Sequence, residues 1–103
     1  MNPLPIDVIH ARQALPKALR DAARHLRERG NFKFLNNEPD IFTTNELAAL
    51  IEHSADRLAS GDNVDGKRLW IIFAPTCVWD DAGGDSRIGQ SVFELVDRLF
   101  RPT

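Results

Sequence analysis

Apolar residues recur at helical spacing in three stretches of the chain, separated by polar segments rich in asparagine, aspartate and glycine. In the first, Leu19, Ala22, Ala23 and Leu26 share one face. Pro16 suits an early helix position there, where a missing N–H costs nothing, and Gly30 closes the run as a C-cap. Residues 1–14 hold Pro3 and Pro5 and are expected to lie extended ahead of a short helical turn. In the second stretch, Thr43 and Glu46 make a capping box, with Phe42 and Leu47 placed as a hydrophobic staple. That helix runs through Leu47, Leu50, Ile51, Ser54, Ala55 and Leu58 and stops near Gly61. In the third, Asp85 or Ser86 caps a helix with the core stripe Ile88, Val92, Leu95, Val96 and Leu99, ended by Pro102. Glu94–Arg98 and Asp97–Arg101 form i,i+4 pairs on its outer side, in the favourable orientation.

Two shorter stretches are ambiguous. Phe32 and Phe34 alternate with Lys33, which permits a brief strand before Asn36, Asn37 and Pro39 end it. Leu69–Phe73 is β-branched and aromatic enough for a buried strand, yet there is no convincing second strand to pair with it. Asp65 can cap a helical turn there instead, reaching Ala74 and halted by Pro75. The expected fold is therefore mainly α: a compact single domain over residues 1–103, with three main helices plus short turns. An α+β fold with a short strand at Leu69–Phe73 is the alternative.

Composition narrows the function classes. The 103 residues, 43% hydrophobic and 27% charged, match one globular domain with one compact core. A net charge of -2 lacks the cationic footprint of a nucleic-acid binder. The single cysteine excludes an intramolecular disulfide and a cysteine-based zinc cluster. The start has neither the cationic nor the apolar region of a secretory signal. The longest unbroken apolar run, Leu69 to Ala74, is far below the ~20 residues of a membrane span. A soluble cytoplasmic protein without a membrane partner is expected.

The charge is unevenly spread: residues 1–35 carry seven Lys/Arg against three Asp/Glu, and residues 36–66 carry one against seven. Lys17, Arg20, Arg24 and Arg27 form a basic stripe on the first helix, and Glu52 and Asp56 share a face of the second. Either the two helices attract each other, or one of these faces meets a charged partner.

The densest candidate chemistry lies in Trp79-Asp80-Asp81-Ala82-Gly83-Gly84-Asp85. Three carboxylates on a glycine-rich turn could hold a hard cation, but the spacing is not that of a calcium loop. Asp85 could equally be an N-cap and Asp80 or Asp81 a turn residue bonding its own backbone. A third possibility is an acidic docking edge beside an aromatic residue. Trp70 lies within the apolar run and belongs in the core, whereas Trp79, next to two aspartates, is expected to be partly exposed. Cys77 has no histidine at motif spacing and reads as an inert thiol. His10, His25 and His53 form no metal-binding pair, and the latter two are expected on solvated helix flanks.

The segment Ile72-Phe73-Ala74-Pro75-Thr76, followed by Trp79-Asp80-Asp81, Gly84-Asp85 and the helix holding Gly89, resembles a signature of small bacterial immunity-type proteins. These are cytoplasmic partners of secreted or contact-delivered toxins. The resemblance covers about a third of the chain, and it implies a protein that masks a toxin domain and performs no chemistry, with no cofactor. The expected function is thus a non-catalytic protein-binding protein with a basic partner, met through Trp79, Asp80, Asp81, Asp85, Glu52 and Asp56. The alternatives are a small metal-dependent enzyme using Asp80, Asp81 and Asp85, and an oligomerising module in which Leu69–Phe73 pairs across a homodimer.

Overall fold

The structure is a computed structural model that describes residues 4–101. Five helices follow in order: α1 (Leu4–Glu28), α2 (Thr44–Ala59), α3 (Gly66–Phe73), α4 (Val78–Asp81) and α5 (Ser86–Phe100). The chain is mainly α, as expected, but two short helices join the three long ones. The alternative with a strand at Leu69–Phe73 is overturned, because that segment is α3. Asp65 Oδ1 accepts the Arg68 N–H at 3.0 Å to start α3, and Pro75 follows its end. As a helix, α3 satisfies its own backbone groups, which a strand without a partner could not do.

The first helix is much longer than its sequence suggests. It begins at Leu4, not near Pro16, and its 25 residues run straight through that proline. Pro5 falls in the first turn, where no N–H is needed. Pro16 removes one helical bond, leaving the Arg12 carbonyl without its usual donor. Arg12 is exposed, and Ala11 and Leu15 extend the buried stripe of Leu19, Ala22, Ala23 and Leu26. The expectations for residues 1–3 and for Pro102 lie outside the described residues.

Helix α1 is the spine, with α2 packed on one side and α5 on another, while α3 and α4 close over α5. Its length of about 38 Å at ~1.5 Å per residue dominates a molecule measuring 47 × 26 × 24 Å. The core joins Leu15, Leu19 and Leu26 to Leu47 and Ile51 of α2, to Leu69, Ile72 and Phe73 of α3, and to Val92 and Val96 of α5. The capping box forms as expected: Thr43 Oγ1 accepts the Glu46 N–H at 3.2 Å, and Glu46 Oε1 accepts the Thr43 N–H at 2.9 Å. The staple does not take its expected form, since Ile41 enters the core and Phe42 is 61% exposed. At the other end of the chain, Asp85 rather than Ser86 caps α5, its Oδ1 accepting from the Arg87 and Ile88 N–H groups. The connection 29–43 holds one antiparallel bridge, Lys33 to Thr43, in place of a strand.

Candidate docking site

The residues singled out in the sequence do not converge on one surface. Arg27 donates two hydrogen bonds to the Glu52 carboxylate, at 2.9 and 2.7 Å, and Arg20 donates to Asp56 at 3.1 Å. The acidic face of α2 therefore meets the basic stripe of α1, with Lys17 and Arg24 flanking Asp21. The Arg27 bond holds the Glu52 carboxyl below its ordinary range. The structure shows the two helices paired, with Glu52 bonded to Arg27 and Asp56 to Arg20.

Trp79 corrects a second expectation: it is 1% exposed and belongs to the core. Its ring packs 5.3 Å from Phe73 and 6.0 Å from His25, and its indole N–H donates to the Asp85 carbonyl at 2.9 Å. Gly84 and Gly89 make room for it, since a Cβ at either position would stand 2.1 or 2.5 Å from the ring. Asp85 spends its side chain on the α5 cap, and the bonds from Ile88 and Arg87 lower its pKa. His25, expected on a solvated flank, is half-buried with Nε2 accepting the Asp85 backbone N–H at 3.2 Å. His10 and His53 are exposed, and Cys77 is half-buried at the start of α4.

What remains of the acidic turn is Asp80 and Asp81, both exposed on α4. Asp80 Oδ2 accepts the Thr76 N–H at 2.6 Å, which steadies an unusual backbone. Thr76 has φ 61°, a left-handed conformation that a β-branched residue strongly disfavours. Strain of this kind collects where function constrains the chain. Among the described residues, no three His, Cys, Asp or Glu side chains are grouped to hold a metal ion.

Beside this strained turn, between α3–α4 and α5, lies a cleft of about 470 Å³. Phe93 and Pro75 supply its accessible apolar surface over the buried rings of Phe73 and Trp79, and Asp80, Gln90 and Glu94 its polar edge. No lysine or arginine lines it. Glu94 is exposed and has no ion-pair partner among the described residues, so the pairing with Arg98 suggested by the sequence does not form, whereas Asp97–Arg101 does. Comparison of the chain with protein-family models, with curated proteins and with solved structures gives no match.

Of the residues that line the cleft, the sequence reading singled out Trp79 and Asp80 as candidates but not Phe93, Gln90 or Glu94. Glu94 looked like half of a surface ion pair, and Phe93 stands outside the stripe of Ile88, Val92, Leu95, Val96 and Leu99. Nothing in their local spacing announces that α5 faces α4 across a gap. A second feature also escaped notice: Phe32, Leu35 and Phe42 are 55%, 93% and 61% exposed on the connection between α1 and α2.

Proposed function

We propose that the protein is a non-catalytic binding protein that docks a basic protein partner at the cleft between α4 and α5. The observation that carries this reading is the cleft itself: apolar walls, a carboxylate edge and no cation among its lining residues. Apolar contact supplies affinity, while like-signed carboxylates reject acidic partners and steer basic ones. The toxin class of partner is supported by the resemblance of Ile72–Asp85 to immunity-type proteins, because that segment builds one wall of the cleft. On this reading the protein masks a cationic toxin surface in the cytoplasm.

The test is affinity capture from a lysate of the cells that make the protein, comparing the native chain with a Glu94→Lys/Asp81→Lys variant. Both positions are exposed, so the variant should keep the native circular dichroism spectrum and thermal midpoint. The expected outcome is one dominant basic partner, held by the native chain and lost from the variant. Undiminished capture by the folded variant would sink the proposal.

A further inference from the structure

The cleft carries a more specific inference, which rests on its reading as the docking site. We propose that it receives a single long cationic side chain, lysine or arginine, presented by the partner. Three features select this occupant. The volume, about 470 Å³, is ample for one long side chain together with its head group. The apolar surface that can be touched comes from half-buried Phe93 and exposed Pro75, with Phe73 and Trp79 buried beneath, and it suits a methylene stem. At the edge, Asp80 and Glu94 present carboxylates with no neighbouring cation in the lining.

Charge decides between the possible anchors. A wholly apolar side chain would cover the walls but strip water from two carboxylates and return nothing to them, which is costly. An acidic side chain meets repulsion. A lysine or arginine side chain satisfies both parts at once, stem against Phe93 and Pro75 and head group at the carboxylates. Asp80 retains an oxygen beyond the one that accepts the Thr76 N–H, so it can receive a donor without breaking the turn. The strained Thr76 conformation, held by that same carboxylate, fixes where Asp80 points. Such an edge is ready for a cation before the cation arrives.

The experiment is a ¹H–¹⁵N NMR titration of the full chain with n-butylguanidinium, n-butylammonium and the uncharged n-butylurea. The expected result is saturable shifts at Gln90, Phe93, Glu94 and the Trp79 indole N–H with at least one of the cations. The cation with the larger effect tells arginine from lysine. Butylurea should bind roughly tenfold more weakly, the loss of one charge-assisted contact. E94Q should weaken the cation several-fold, leave butylurea unchanged and keep the native spectrum elsewhere. Equal binding of butylurea, no effect of E94Q, or no saturable shift at the cleft would each overturn the proposal. If Glu94→Lys/Asp81→Lys loses the partner but the cations do not bind, the docking reading stands and the cationic anchor fails. If the cations bind while the variant captures the partner undiminished, the docking reading fails and the cation site stands.

Discussion

At the scale of single residues, Trp79 and Gly89 must be considered together. A glycine inside a helix costs about 1 kcal/mol relative to alanine, yet α5 carries one at a buried position facing the indole ring. The ring cannot move aside easily, because Phe73 and His25 pack against it and its N–H is bonded to the Asp85 carbonyl. Overpacking of a filled core typically costs about 1–3 kcal/mol, more than the propensity gained. Gly89→Ala is therefore expected to destabilise the protein by a net ~1–2 kcal/mol, read as a lower midpoint in urea with an unchanged slope. An unchanged or higher midpoint would show that the ring is not closely held. The same contact explains why Trp79 misled the sequence reading: its aspartate neighbours suggest water, but α4 turns Val78 and the indole inward. Asp80 and Asp81, one and two residues on, remain exposed.

At the scale of elements, the start signals were the most legible features of the chain. The Thr43–Glu46 box, the Asp65 cap of α3 and the Asp85 cap of α5 all form as their spacing implies. Capping is local chemistry: a side-chain oxygen reaches a backbone N–H two or three residues away, whatever the rest of the molecule does. Thr43→Ala should consequently cost about 1 kcal/mol in chemical denaturation, with amide exchange accelerated first at the N-terminal turn of α2. Loss confined to some other helix would contradict this assignment. Proline signals were less dependable. Pro16 marks a helix start on local grounds, but Ala11 and Leu15 gain a buried face by continuing the helix through it. That burial, at roughly 25 cal/mol per Å² of apolar surface, offsets one missing hydrogen bond.

At the scale of the molecule, ion pairs tie the helices to one another, and their pH dependence follows from the direction of their pKa shifts. Arg27 lowers the Glu52 pKa across the α1–α2 contact. Arg101, and then the Trp70 indole N–H across the α3–α5 contact, bring Asp97 down to about 2. A carboxylate whose folded pKa lies below its unfolded value adds stability above the unfolded value. That contribution is lost as pH falls toward the folded one. Thermal stability should thus hold steady near neutrality and fall progressively from about pH 4.5 to pH 2. Asp97→Asn should flatten part of this acid limb, because the asparagine keeps an acceptor for Trp70 but has no proton to gain. An identical pH profile in the variant would remove Asp97 from the account. Each exposed α1–α2 pair is worth only ~0.2–1 kcal/mol, so those pairs orient the helices more than they hold them.

The chain's own periodicity and caps were enough to place α2, α5 and much of α1, and to favour a helix over a strand at Leu69–Phe73, because these depend on residues within a turn of each other. The internal use of the charge asymmetry was also in view as one of two readings. Tertiary packing alone decided that the two helices pair, by setting Arg20 and Arg27 against Asp56 and Glu52. It also decided that Trp79 is buried and that Phe93 and Glu94 face Asp80 across a cleft. Those outcomes join residues far apart in the chain, and a distance of that kind is set by how the helices pack, not by the spacing along any one of them.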